Sequence, residues 1–409
     1  MKKQTKVLVL TFLTVCEIGC FFLSPYSVFA STLIYTLIGI AIAVIPLTRE
    51  TSGGDAPLWG KFSSYSYLIY LAGIFILCNW IKNTFTAHIY SSTLDAHMGD
   101  MLLFLREMSQ RYLDHQHVYD PISDIHGTPV HAVYLPGFWL HFCIPMSLGK
   151  DMRWASLAAV LISVLMATWV RRASFSHAHL LLFIPLSLFA YLIMDGAAYY
   201  IMFTQEAIVL LYVGLLCFAL AKEYWILAGV AAALCIMSRY FIGAPLLAGI
   251  IWLYFTDRTA ARKVFFATIA SLAAILTLSR SWGDSIYFFK IPLLYAGFLS
   301  DTSSFEAFHH IYYRSVGFAA IFDVGHIHIL TWLNILVLLL LPPAYFLFAR
   351  RCLRDSGTSL VLMCGIKLFL VLFLVTLSKP FGYVLYTSSF LSVILLKNVL
   401  NTTVQKEAI

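Results

Sequence analysis

The chain is predicted to be an all-α polytopic membrane protein with about twelve transmembrane helices. Three observations lead there. Of 409 residues, 61% are hydrophobic and only 11% charged, against roughly 25% charged in soluble globular proteins. Apolar runs near the ~20-residue length of a bilayer crossing recur from end to end. Lys and Arg gather in alternate connections between those runs, as the positive-inside rule requires.

In order, the runs lie near 7–29, 31–48, 64–83, 154–170, 178–194, 204–221, 225–238, 241–256, 264–280, 328–348, 358–377 and 381–398. The first follows Lys2, Lys3 and Lys6 and leads to Val28-Phe29-Ala30 before Ser31, like a signal peptide. Its length, and the second run that follows at once, predict a retained signal-anchor helix. Glu17 inside the run argues against a lipobox at Cys20. The runs 225–238 and 241–256 are so close that a tight hairpin is expected. The stretch 136–148 is apolar but carries Pro136, Gly137 and Pro145, so it reads as an interfacial or re-entrant helix, not a span.

Charge orients the chain. With the N-terminus in the cytoplasm, that side receives Lys2, Lys3, Lys6, Arg49, Lys61, Arg171, Arg172, Lys222, Arg258, Arg262, Lys263, Arg350, Arg351, Arg354, Lys397 and Lys406. The short turns opposite hold only Arg239. Counting 136–148 as a span would send Arg171-Arg172 and Arg350-Arg351 outside, so both termini are expected in the cytoplasm. The expected location is a bacterial cytoplasmic membrane.

One integral membrane domain of 1–409 follows. It comprises three spans in 1–83, an external loop over 84–153, spans four to nine in 154–280, a second external loop over 281–327, and three spans with a tail in 328–409. The eight cysteines show no metal-ligand spacing and read as small core residues. No basic block suits nucleic acid, and no Gly-rich phosphate loop follows a strand, which argues against nucleotide hydrolysis. The absence of an internal repeat weighs against a transporter.

The polar island at 82–136 stands out in this apolar chain. It contains Leu94-Asp95-Ala96-His97-Met98-Gly99-Asp100, then Tyr119-Asp120-Pro121, then Tyr134-Leu135-Pro136-Gly137. Between them, Leu102, Leu103, Leu105 and Met108 alternate with Arg106, Glu107, Gln110 and Arg111 at helical spacing. That pattern predicts a short amphipathic helix over 101–112, suited to the membrane surface. Either aspartate could cap this helix.

Gly-Asp, an amphipathic helix, a Tyr-Asp pair, Tyr-x-Pro and an apolar segment, in that order, resemble the first external loop of GT-C-type glycosyltransferases. The similarity is strongest to bacterial polyprenol-phosphate-mannose-dependent mannosyltransferases. It continues in Thr204-Gln205-Glu206, and in Ala228-Gly229 followed by Ser238-Arg239-Tyr240, covering about 85–260. Two spans precede the one that feeds the loop, where many relatives have one. Tyr-Leu-Pro stands where the family has Tyr-Pro-Pro, and Arg239 where it has Lys.

The resemblance implies a GT-C-like fold and transfer of a sugar, with mannose favoured, from a polyprenyl phosphate to a hydroxyl of a glycan or glycolipid acceptor. The reaction would run at the external face of the bilayer by inverting displacement. It implies Asp100 as general base, with Asp95 in reserve. Arg239, Gln205 and Glu206 would lie toward the donor phosphate, and Tyr119, Asp120 and Tyr134 toward the substrates. The chemistry suits these residue types. A hydroxyl needs a base to take its proton, help worth about 10²–10⁴ in rate. The departing phosphate needs a cation, and Arg offers forked, charge-assisted hydrogen bonds.

In the second loop His309, His310, Tyr312, Tyr313 and Arg314 form a polar-aromatic cluster. His309 and His310 are candidates for the acceptor sugar and Arg314 for the phosphate. The cluster also fits an interfacial aromatic belt. His88, His97, His115, His117, His126 and His131 supply no trusted metal spacing, so no metal or other cofactor is expected beyond the lipid-linked donor. Lys367 is an isolated charge within a span whose role is open. The competing expectation is a polysaccharide polymerase or a lipid-linked-sugar transporter, the latter requiring polar residues through the bundle centre.

Overall fold

A computed structural model describes residues 2–48, 64–92, 94, 96–123, 129–130, 134–170, 172–194, 201–279, 290, 316–322, 326–352, 357–378 and 382–405. In chain order the N-terminal half has α1 (Lys3–Leu23), α2 (Val28–Val44), α3 (Ser64–Ser91), α4 (Ala96–Leu113), the two-residue strands β1 (Ile122–Ser123) and β2 (Pro129–Val130), α5 (Pro136–Trp139), α6 (Cys143–Ser147), α7 (Arg153–Thr168) and α8 (Phe183–Met194). There follow α9 (Glu206–Ala221), α10 (Trp225–Ser238), α11 (Gly243–Thr256), α12 (Arg258–Leu278), α13 (Ile327–Cys352), α14 (Thr358–Val375) and α15 (Tyr386–Gln405). The strands pair antiparallel, Ile122 with Val130.

The chain is an integral, multi-pass membrane protein by the length and apolar character of its helices. Among the described residues, eight qualify as crossings: α1, α2, α3, α8 with its leading turn from His177, and α12 to α15. Helices α7, α9, α10 and α11 are apolar but shorter. The twelve apolar runs of the sequence each fall on one of these twelve helices.

Burial within the bundle does not track hydropathy: α14, the most apolar of the long helices, is 72% buried over its window, whereas α3, among the least apolar, is 28% buried. α15 is among the least apolar of the eight long helices, yet 94% of its apolar window is buried. Thr387, Ser388, Ser389 and Ser392 turn inward on it, all nearly inaccessible. In lipid, apolar side chains gain nothing by hiding from their surroundings, whereas polar groups need partners and small ones allow close packing. α12 and α13 lie at the periphery and present Phe266, Leu339 and Leu340 outward.

Three elements differ from expectation. α3 does not stop near 83 but runs to Ser91, since no Gly or Pro interrupts Lys82 to Ser91. The amphipathic helix begins at Ala96, and Leu102, Leu105 and Met108 are covered by protein, not lipid. α5, α6 and the turn Ile201–Phe203 pack beside it. Finally, α10 and α11 do not form the expected closely packed hairpin, because α10 lies mainly along α12. Gly229 permits this approach: a Cβ there would meet the Val264 carbonyl oxygen at 2.5 Å.

The stretch 136–148 breaks into α5, a 3-10 turn and α6, as its prolines predict. It tucks under the bundle. A Cβ at Gly137 would lie 2.6 Å from the backbone of Met237 at the end of α10. The Tyr212 hydroxyl donates to the Gly137 carbonyl at 3.3 Å.

Candidate functional site at the loop end of the bundle

The last carbonyls of any helix lack intrahelical donors. At the end of α3 the missing donors come from Arg153, which opens α7. Its guanidinium donates to the Ile89 and Ser92 carbonyls at 3.0 Å each and to the Ser92 hydroxyl at 3.0 Å. Asp151 holds it with both carboxylate oxygens, at 3.0 and 2.7 Å. This buried Arg153 (2% exposed) pins α3 against α7.

A groove of about 640 Å³ opens above that junction. Its walls are the end of α3 with Ser92 and Leu94, Arg106 and Gln110 of α4, and residues from Met146 to Arg153. Ile89, Leu94, Met146 and Met152 make one part apolar. Arg106 and Lys150 are exposed cations at its rim. A groove with an apolar floor and cationic rim at the end of a membrane bundle suits an amphiphile with an anionic head, since forked or ammonium donors favour phosphate oxygens.

The polar island is braced internally. Arg111 pairs with Glu107 at 3.0 Å and donates to the Asp120 and Pro121 carbonyls at 2.6 and 3.1 Å. Tyr119 is buried, and its hydroxyl donates to the Tyr134 carbonyl at 3.3 Å. Tyr119 and Tyr134 thus join the two halves of the loop, while the Asp120 side chain is exposed. Asp100 lies in α4 as its fifth residue, so it does not cap that helix. It stands about 9 Å along the axis from Arg106 of the groove. Asp95, His309, His310 and Arg314 fall outside the described residues.

Arg239 and Glu206 meet in a salt bridge, at 12% and 1% exposure. Glu206 also accepts from the Thr387 hydroxyl at 3.4 Å. The Arg239 guanidinium lies over the Phe138 ring, 5.1 Å from its centroid. Gln205 is buried beside them with its Oε1 unpartnered among the described residues. The pair therefore clamps α5 to α9, α10 and α15. The groove is built from other residues.

One residue further along α15, Ser388 belongs to a second centre. The Lys367 ammonium donates to the Ser388 carbonyl and hydroxyl at 2.9 Å and pairs with Glu17. Glu17 also accepts from Ser392 at 2.5 Å. Lys367 therefore faces the bundle interior. Neither this pair nor the groove cations Arg106 and Lys150 were singled out as sites by the sequence. One signal was available: two opposite charges, each isolated in an apolar run, must find partners.

His141, in the turn between α5 and α6, keeps partial exposure, but both ring nitrogens are buried without a hydrogen bond among the described residues. Burial holds its pKa down to about 3, against an opposing influence of the Gly137 backbone. Burial likewise pushes the Cys143 thiol up to about 11. His88 bonds its own helix through Thr84 at 2.8 Å. Comparison of the chain with protein-family models, curated protein sequences and solved structures returns no match.

Proposed function

We propose that this protein is an integral membrane glycosyltransferase of GT-C type with twelve crossings, which moves a sugar from a polyprenyl phosphate to an acceptor hydroxyl on the external face. The observation that carries the reading is the groove between α3, α4 and the Met146–Arg153 segment, apolar on one side and rimmed by Arg106 and Lys150. It adjoins the loop whose motif order resembles that family. The polyprenyl chain enters from the bilayer and the phosphate meets the two cations. Asp100, the position the resemblance assigns to the base, takes the acceptor proton. The acceptor oxygen bonds to the anomeric carbon as its bond to the phosphate oxygen breaks, and polyprenyl phosphate leaves with the electron pair.

The test is transfer from labelled polyprenyl-phosphate sugars by the purified protein in liposomes. Asp100→Asn is expected to abolish product while insertion and thermal stability stay normal. Arg106→Gln with Lys150→Gln is expected to raise KM for the donor by on the order of tenfold or more. Full turnover by Asp100→Asn and by Asp95→Asn would remove the assignment.

A lipid-linked-sugar transporter is the second reading. The linked buried pairs Glu17–Lys367 and Glu206–Arg239 favour it, because charges inside a bundle often line transport paths. Movement of labelled lipid-linked sugar across proteoliposomes without new product would select it.

A further inference from the structure

Near its end α11 carries two neighbouring aromatic residues, Tyr254 and Phe255, both exposed, with ring centroids 6.0 Å apart. A guanidinium lies over each ring. Arg258, which opens α12, stands 5.4 Å from the Tyr254 centroid. Arg350, in the last turn of α13, stands 4.4 Å from that of Phe255. Two arginines far apart in the chain are thus held beside one pair of rings.

Three more exposed cations lie close to them in the chain. Arg262 is one turn beyond Arg258 on the same face of α12, Lys263 follows it, and Arg351 follows Arg350. None of the five forms a salt bridge among the described residues. Asp257, the acid between α11 and α12, caps α12 by accepting from the Ala260 N–H at 2.9 Å. Arg354 and Asp355 fall outside the described residues.

This end of the bundle is the one away from the donor groove. Tyr112 of α4 donates to the carbonyl of Leu278, the last residue of α12, at 2.7 Å. The helix places that contact roughly 30 Å from Arg258. Because α12 is long enough to cross a bilayer, the patch and the groove belong to opposite leaflets.

Like charges held this close repel, and counter-anions relieve the repulsion. Tyr rings at a membrane boundary sit at headgroup depth, so the two guanidinium groups are level with lipid phosphates, whose oxygens match their forked donors. Leu247, Ile251 and Phe255 form an exposed apolar stripe at four-residue spacing that leads away from the charges along α11. That stripe suits an acyl chain and favours a lipid over a free ion.

We propose that Arg258, Arg262 and Arg350, set on Tyr254 and Phe255, form a binding surface for anionic phospholipid head groups of the adjacent leaflet. The aromatic pair fixes the arginines, and the lipid phosphates bridge α12 to α13. Basic clusters beside membrane helices hold anionic lipids by the same attraction. The proposal does not depend on sugar transfer.

The experiment uses the full-length protein, delipidated in detergent. Native mass spectrometry measures retention of added phosphatidylglycerol against phosphatidylcholine. It is run in wild type and in Arg106→Gln/Lys150→Gln, where lipid held in the groove does not contribute. Both proteins are expected to retain phosphatidylglycerol preferentially. Arg258→Gln and Arg350→Gln are each expected to lower that preference about fivefold, and together by on the order of 25-fold. Lys82→Gln removes an exposed cation on α3 and is expected to bind like wild type. Equal retention of the two lipids by Arg106→Gln/Lys150→Gln overturns the proposal. An unchanged preference in Arg258→Gln/Arg350→Gln also overturns it, as does a loss in Lys82→Gln equal to that in Arg350→Gln, which makes the effect one of net charge.

Discussion

Glu17 of α1 and Lys367 of α14 form an ion pair with neither side chain exposed, across 350 residues of chain. Ser388 and Ser392 complete the hydrogen bonding of the two charges. Through them the first and last helices of the chain are keyed to one another. Thr387, the neighbour of Ser388, bonds Glu206 of the other pair. One face of α15 thus organises both buried charge centres.

Breaking the first pair on one side leaves an uncompensated charge in the bundle. Lys367→Met alone is expected to destabilise by about 3–5 kcal/mol, and the double variant Glu17→Leu/Lys367→Met to recover most of that loss. Unfolding in mixed detergent micelles measures both. Equal destabilisation by the single and double variants would show that the charge itself is not what matters.

The Arg239–Glu206 pair separates structure from activity. Arg239→Ala is expected to cost about 3–5 kcal/mol, with recovery in Arg239→Ala/Glu206→Gln. If Arg239 also contacts the donor phosphate, the recovered double variant remains inactive in sugar transfer. If it only clamps Phe138 and α5, activity returns with stability.

Gly137→Ala places a methyl group 2.6 Å from the backbone of Met237, where no flexible side chain can yield. Overpacking of this kind costs about 1–3 kcal/mol. Limited proteolysis is expected to cut the 96–147 region faster in the variant, and any activity should fall with it.

His141 gives the loop an acid sensitivity. Its folded pKa, held at about 3 by burial, lies below that of an unfolded histidine near 6.5. Between those values the unfolded chain binds a proton that the folded chain does not, so unfolding is favoured as pH falls. The stability present above pH 6.5 is lost toward pH 3, at up to roughly 1.4 kcal/mol per pH unit for this one group. His141→Phe is expected to flatten that part of the pH–stability curve, read by thermal unfolding from pH 7 to pH 4.

Much of the helix content was legible because it is written in local hydropathy. Each apolar run became an apolar helix, and Pro136, Gly137 and Pro145 marked the broken segment 136–148. Run length was less informative about ends. α3 carries Lys82, Asn83 and His88 without unwinding, since helix continuation needs only the absence of breakers. The amphipathic pattern at 101–112 named a helix but not its contact, because lipid and protein interior both accept Leu102 and Leu105. The candidate site was legible in part. The Tyr119 and Tyr134 segments do meet, through the hydroxyl of Tyr119, and Arg239 does approach the loop through Phe138. The carboxylate that meets Arg239 comes from Glu206, 33 residues earlier, and nothing local to either residue encodes that partnership.

The sequence by itself determined that the chain is a multi-pass membrane protein and where its apolar helices lie, because bilayer insertion depends on composition within ~20 residues. It also located the polar island. Only the tertiary structure decided how buried charges are neutralised, that Arg153 ties α3 to α7 beneath the groove, and that α15 is the centre of the bundle. Those outcomes rest on pairing between groups far apart in the chain. In lipid such pairing, rather than hydrophobic burial, selects which helices touch.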